Sequence, residues 1–424
     1  MIRIFPAVFS GTLAAPSSVA HAQRLLFAAA VSNSPTAIHR IPMCGDIHTS
    51  IRCLEALGST VEHSGAHTLI IHPFAKTRPV PRVDFDFERC ATASRYALAI
   101  AAAYGFQADC TASESLVKRP LFPLAGRMAL RGTTFTGFTF PLTMQGRLEG
   151  GEYDFDGTLS HGYVSSILLA APILSSSSTV RIEPPVLMGG HIEMTLDVLA
   201  QFGIDVEIGE EEIAIPGRQV YLSPDNISVA GDWSLAALWL TAGALSQEQG
   251  GSIVCTDLPA DSPQGYRNLT EMHSQLVTDF RDITVDARDY PELASLIAVV
   301  AAAKSGALHL SGVPQLRYKE TDRLKTIAAI LRDMGADMHE TDDGFESDGT
   351  GHFDYPDDFF VDCQGDAHIA IAFALAAPTI KKPFVLDERA VDKIWPEFWD
   401  QYRALGGTFE AVEPKEEDIS PHTA

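Results

Sequence analysis

The feature that most limits how this chain can fold is a helix-forming run, rich in Ala and Leu, that returns six times. The runs are Ala22–Val31, Ser94–Gly105, Tyr163–Leu174, Ser234–Leu245, Leu293–Ala303 and His368–Pro378. Each is apolar on nearly every face and carries few or no charges. A helix without a polar face must be buried all round, so the runs predict domain interiors rather than surfaces. Successive runs lie about 70 residues apart, with one shorter interval, which is the mark of a repeat architecture.

A second, amphipathic helix follows most of these runs, ends in Gly and leads into a strand. It reads IRCLEALGSTVE, RMALRGTTF, LDVLAQFGIDVE, ILRDMGADMHE and YRALGGTFE, with the glycines at Gly58, Gly132, Gly203, Gly335 and Gly406. Gly just past a helix accepts the left-handed conformation that closes it. The sixth copy is expected in LTEMHSQLVTDFRDITVD, where Phe280 stands near the glycine position. Strand candidates HTLIIHPF, TVRIEP, GALHLSGV and PFVLDER link the helices. Six such modules divide into two halves of three. The acidic end from Glu413 reads as a frayed tail.

Bulk properties narrow the function. A chain of 424 residues is long for one domain and suits two. Apolar content of 46% and charged content of 20% are those of a soluble globular protein. The formal net charge of −24 argues against nucleic acid or an anionic membrane as partner. A small anion held by a local basic cluster remains compatible with it. Cys44, Cys53, Cys90, Cys110, Cys255 and Cys363 show no metal-type spacing and read as reduced thiols of a cytoplasmic protein. Val19 to Ala22 ends in an A-x-A pattern. Pro6, Ser10, Gly11 and Thr12 interrupt the apolar run before it, so no secretion signal is expected. No apolar run of about 18 residues occurs, so no membrane span is expected either.

One segment is far more specific. VPQLRYKETDRL, Val313 to Leu324, stands between a strand candidate and a helix candidate. Its LRxKETDRL pattern closely resembles the signature of the 5-enolpyruvylshikimate-3-phosphate synthase family, the 3-phosphoshikimate 1-carboxyvinyltransferases. Other segments agree in order across nearly the whole chain. Pro16 to Arg24 aligns with the family's first glycine-rich anion loop, CATASRYAL with its GTxxR segment, and Lys118-Arg119-Pro120 with its RP turn. Gly231 to Ser234 and Asp387 to Phe398 also find counterparts. The resemblance implies an α/β chain with the two-domain enolpyruvyl transferase fold. Each domain would hold three repeated strand-helix units with buried helices, like an inside-out α/β barrel. The domains would be 16–228, and 1–15 with 229–424, closing over substrates in the cleft between them.

The implied chemistry adds an acceptor hydroxyl to C2 of phosphoenolpyruvate, protonates C3 and then expels phosphate. Such a site must hold a phosphate and a carboxylate, deprotonate an alcohol and protonate a carbon. Guanidinium forks suit the anions, being always charged and able to grip two oxygens at once. By resemblance, Arg95, Arg323, Lys393 and His368 bind phosphoenolpyruvate. Arg24, Ser160, His161, His191, Gln315 and Lys319 bind the acceptor, shikimate 3-phosphate. Glu320, Lys319 and Glu292 are the catalytic set, a carboxylate and an ammonium near the reacting atoms being able to exchange protons. Glu320 and Arg323, three apart, are expected as neighbours on the first turn of a helix. No cofactor is implied, and the protein is expected to be a monomer.

Several family positions are altered. The loop Lys and Ser are Val19 and Ala20, with His21 beside them. Ser-Ser-Gln reads Ser160-His161-Gly162, the following Tyr is His191, and the catalytic Asp is Glu292 after Pro291. The Asn before KETDR is Gln315, and Asp-His-Arg reads Asp366-Ala367-His368. Losing one charge-assisted contact to an anion costs about 1.5–3 kcal/mol, so the missing Lys and Arg weigh on phosphoenolpyruvate binding. His21, His161, His191 and His368 stand where replacement donors would serve, and their spacing is not that of metal ligands. Three readings follow: the shikimate-pathway transferase, a divergent transferase for another phosphorylated or nucleotide-like acceptor, and a non-catalytic anion-binding relative. The peptidoglycan enzyme that acts on UDP-N-acetylglucosamine is disfavoured, since Glu114 stands where its nucleophilic Cys would be.

Overall fold

In the computed structural model, which describes residues 1–75, 82–187, 189–264, 282–304, 306–350 and 352–413, each apolar run is a helix. The helices are Val19–Ala30, Ala91–Tyr104, His161–Ala170, Trp233–Leu245, Pro291–Lys304 and Ala367–Leu375. Ile100, Leu168, Trp239, Ile297 and Phe373, one from each of five of them, are fully buried. The cause is the one the sequence offered: with no polar face, each helix gains only by removing its whole surface from water.

Five of the six sheets share one strand plan. In the sheet that begins at Arg82–Asp86, that strand runs parallel to Gln107–Thr111. The helix Ala91–Tyr104 is the crossover between them. Leu142–Gly146 and Thr133–Phe135 then add antiparallel. The same order recurs in Glu152–Asp156, Ser178–Glu183, Glu212–Ile215, Glu207–Ile208, and in Asp282–Asp286, Ala307–Ser311, Phe345–Ser347, His339–Glu340. Asn226–Ser228 with Thr36–His39, and Phe360–Val361 with Phe384–Leu386, start the fourth and fifth copies. Among the described residues the sixth consists of the parallel pair Gly11–Ala14 and Ile253–Thr256. RVDFD, EYDFD and DITVD, which begin three of these sheets, alternate strictly between exposed and buried residues. Val83, Phe85, Tyr153, Phe155, Ile283 and Val285 face the core, so these three strands have one wet face and one packed inward.

The chain forms two compact units, Ser17–Ala230 and Met1–Pro16 with Gly231–Ala424, each with three of the sheets and its own core. Gly58, Gly132, Gly203, Gly335 and Gly406 all have positive φ, from 69° to 108°. At Gly132 a Cβ would come within 2.4 Å of the Arg147 carbonyl oxygen, so that turn admits no side chain. The expected sixth copy, through Phe280, lies outside the described residues, as does the tail beyond Glu413; Asp282–Asp286, its last part, is a strand. All six cysteines are free and five are buried. Among the described residues no helix is long and apolar enough to cross a membrane.

Candidate active site

A buried helix carries a polar or charged side chain at low cost only where hydrogen-bond partners meet it. In the unit Ser17–Ala230, Arg24 of helix Val19–Ala30 is the most deeply buried cation, with no exposed surface. Its donors are spent on the protein. Nε donates to Thr195 Oγ1 at 2.8 Å and Nη1 to the Ala20 carbonyl at 2.7 Å. Nη2 donates to the His191 carbonyl at 2.9 Å, to Ser165 Oγ at 3.2 Å and to His161 Nδ1 at 3.5 Å. The last contact makes Nδ1 of His161 an acceptor. The His161 and His191 rings stack beside it, centroids 4.3 Å apart and 27° from coplanar.

Arg95, on helix Ala91–Tyr104, donates to Ser160 Oγ at 2.7 Å and to the Tyr163 hydroxyl at 3.3 Å. Its guanidinium also lies 4.2 Å from the Tyr163 ring centroid. No carboxylate pairs with Arg24 or Arg95 among the described residues, and burial pushes both pKa values down from the usual range. Arg119 adds repulsion to Arg95. In the sequence Arg119 stands out only as part of a turn, and its electrostatic reach to Arg95 adds it to this basic group. Ser18 caps helix Val19–Ala30. Val19, standing for the family's loop lysine, packs against the apolar core. His21 is buried, its Nδ1 accepting from the Ala230 amide at 3.0 Å. Burial, then Arg24, hold its pKa down at about 4, so it is neutral near pH 7.

The other unit gathers a cluster of mixed charge. Arg323 is 1% exposed and grips Asp366 with two bonds, Nε to Oδ2 at 3.0 Å and Nη2 to Oδ1 at 3.1 Å. Asp366 is itself fully buried and caps helix Ala367–Leu375, accepting from the His368 amide at 2.9 Å. Glu320 lies between two cations, Lys393 Nζ at 2.6 Å and Arg323 Nη2 at 3.5 Å. Burial alone would lower the Arg323 pKa, but Asp366 and Glu320 outweigh it and raise it above the ordinary value. Glu292, in the first turn of helix Pro291–Lys304, acts on both Arg323 and His368 through its charge. His368 Nδ1 accepts from Arg323 Nη2 at 3.3 Å. Burial and Arg323 hold its pKa at about 4, so its 3.8 Å approach to Asp366 is not an ion pair at neutral pH.

One expectation needs correcting. Glu320 is not on the helix with Arg323, because Asp322 caps that helix by accepting from the Lys325 amide and it begins at Arg323. The two residues still pair, from loop to helix. Lys319 is half-buried, at the end of the tight turn Pro314–Tyr318. Gln315, on that turn, is 8% exposed, and neither its side-chain oxygen nor its nitrogen has a hydrogen-bond partner among the described residues. Within one unit, then, Arg24, Arg95, Ser160, His161 and His191 are brought together. Within the other, Glu292, Glu320, Arg323, His368 and Lys393 are joined.

In one unit Arg24 and Arg95 have no carboxylate partner among the described residues, and in the other Glu320 is held between two cations. The chain belongs to the EPSP synthase family, whose model, described as EPSP synthase (3-phosphoshikimate 1-carboxyvinyltransferase), matches residues 6–402. Among curated relatives, the 3-phosphoshikimate 1-carboxyvinyltransferase of Clostridium kluyveri is 28% identical over 425 residues, spanning 96% of this chain and 97% of the relative. That of Clostridium perfringens strain 13 is 28% identical over 426 residues, covering 96% and 98%. The fold is also that of EPSP synthase from Acinetobacter baumannii, at TM-score 0.76 and 22% identity over 97% of this chain and 99% of that one. The enolpyruvyl transferase NikO from Streptomyces tendae matches at TM-score 0.76 and 16% identity, again over 97% and 99%.

Proposed function

We propose that this protein transfers the enolpyruvyl group of phosphoenolpyruvate to a hydroxyl of shikimate 3-phosphate and releases phosphate. The observation that carries the reading is Glu320, held by Lys393 at 2.6 Å and by Arg323 at 3.5 Å. A carboxylate gripped by two cations, with Lys319 next to it in sequence, has the means to pass a proton to and from carbon. In this reading Glu292 takes the proton of the acceptor hydroxyl as its oxygen bonds to C2. Glu320 with Lys319 delivers a proton to C3, and its return to the protein accompanies loss of phosphate from C2. Arg95, Arg323 and Lys393 supply charge to the phosphate and carboxylate of phosphoenolpyruvate, with neutral His368 as a donor alongside. Ser160, His161, His191, Gln315 and Lys319 serve the acceptor. Arg24, its donors turned inward, frames that side and adds to its positive field.

A second reading, transfer to a different phosphorylated or nucleotide-like acceptor, is favoured by the stacked His161 and His191 rings. His161 puts a second flat ring where the family has Ser, beside His191 where the family already has the ring of a Tyr. Phosphate release from phosphoenolpyruvate and shikimate 3-phosphate, measured on the purified protein, tests the first reading. Turnover supports it. No turnover, with thermal stabilisation by another phosphorylated alcohol, supports the second, and neither response leaves a non-catalytic relative.

A further inference from the structure

The sheet that begins at Asp282–Asp286 carries a row of exposed side chains that the transfer chemistry does not use. Thr284 stands opposite His309, His309 opposite Glu346, and Glu346 opposite His339, so the four run side by side across four strands. All four are exposed, whereas their chain neighbours Ile283, Leu308, Phe345 and Met338 are buried. Strand alternation therefore aims the whole row at the wet face, with one carboxylate between two imidazoles. Asp337 and Asp348 lie beside the row, and these residues line a cleft of about 480 Å³. None of them belongs to the candidate active site.

Both imidazoles are held in defined tautomers. His309 Nδ1 lies 3.0 Å from Glu346 Oε1, and His339 Nε2 lies 3.0 Å from Asp337 Oδ1. An ionised carboxylate only accepts, so each of these nitrogens carries a hydrogen. In the neutral rings the lone pairs then sit on the opposite nitrogens, Nε2 of His309 and Nδ1 of His339. Neither has a hydrogen-bond partner among the described residues. A carboxylate behind the ring is what orients a metal-binding histidine and raises its basicity. Asp337 is itself steadied, its second oxygen accepting from the Asp348 amide at 3.1 Å. One strand separates the two histidines, about 10 Å between backbones, and both side chains are exposed enough to turn towards a common point. Asp282, Asp337, Glu346 and Asp348 add negative charge to the cleft, which draws in cations.

The geometry points to a site for one divalent transition ion of the class that prefers imidazole, such as Cu²⁺, Ni²⁺ or Zn²⁺, held by His309 Nε2 and His339 Nδ1. Water completes the shell, while Glu346 and Asp337 stand behind the rings. Among the described residues no three His, Cys, Asp or Glu are placed to hold an ion by themselves, which agrees with an open site of two protein ligands. The proposal does not rest on the enzymatic reading, and its test does not use turnover.

Titration of the full chain with Cu²⁺, followed by calorimetry and electron paramagnetic resonance, tests it. Cys255, the one cysteine that is not buried, is replaced by Ser throughout so that no accessible thiol competes. The parent is expected to saturate with one ion, and its copper signal to show coupling to two nitrogens. His309→Ala and His339→Ala alter exposed side chains and are expected to fold as the parent does. Each should weaken binding roughly tenfold or more, at least the effect of losing an orienting contact, and leave one coupled nitrogen. The double variant should lose the site. Asp337→Asn should weaken binding less than His339→Ala, because the ligand stays and only its support is changed. No saturable binding by the parent, or an unmoved affinity in either single histidine variant, overturns the proposal.

Discussion

Lys393 Nζ and Glu320 Oε1, 73 residues apart in sequence, lie 2.6 Å from each other, and the second oxygen of Glu320 faces Arg323. Both oxygens of this carboxylate are therefore held by cations. Glu320→Gln keeps its shape and removes its charge and its capacity to carry a proton. Turnover is expected to fall at least tenfold, about 1.4 kcal/mol or more in the barrier, with the Michaelis constant for phosphoenolpyruvate changing less. Steady-state phosphate release gives both constants, and a near-normal rate would remove Glu320 from the chemistry.

Arg323 and Asp366 make a stability prediction. Both are buried and joined by two hydrogen bonds, so removing the guanidinium strands a carboxylate that water cannot reach. Arg323→Met is expected to lower the unfolding free energy by about 3–5 kcal/mol in urea titrations. The double variant Arg323→Met with Asp366→Asn should recover part of that loss, because no charge is then left alone. If the double variant is the less stable of the two, the pair is not the cause.

Two histidines tie stability to pH. His21 and His368 titrate at about 4 in the folded protein against 6.5 ordinarily. From pH 6.5 down to about 4 the unfolded chain takes up protons that the folded chain refuses, so acid favours unfolding. Stability should be level above pH 6.5 and decline below it, by up to about 1.4 kcal/mol per pH unit for each histidine. His21→Asn keeps an acceptor for the Ala230 amide and has nothing to titrate, so its decline should be shallower. Equal slopes for variant and wild type, measured by denaturant unfolding from pH 7 to 4.5, would count against His21.

What the sequence made legible was whatever has a period or a fixed local pattern. The buried helices were visible because composition alone decides them, and the KETDR segment because its residues stand side by side. The strands RVDFD, EYDFD and DITVD carry an equally clear alternation that could have been found by the same rule. Partners chosen by packing left no such trace. Thr195 meets Arg24 across 171 residues of sequence, and nothing in the spacing of either announces it. Glu320 looked helical beside Arg323 because a three-residue interval fits a helix. The cap at Asp322, which starts that helix one residue later, overrides the interval.

His368 supplies the last test. By resemblance its position belongs to an arginine that binds phosphoenolpyruvate, whereas here a neutral imidazole accepts from Arg323 at 3.3 Å. Around it lie the carboxylates of Asp366, Glu320 and Glu292, all of which act on its titration, and these can balance a further cation. His368→Arg is therefore expected to fold, and to lower the Michaelis constant for phosphoenolpyruvate by roughly tenfold or more, the worth of one charge-assisted bond of about 1.5–3 kcal/mol. Initial rates over a range of phosphoenolpyruvate concentrations at pH 7.5 would give the constant. An unchanged value would mean that the imidazole already makes the contact the arginine would make, and that the loss of charge at this position is compensated within the cluster.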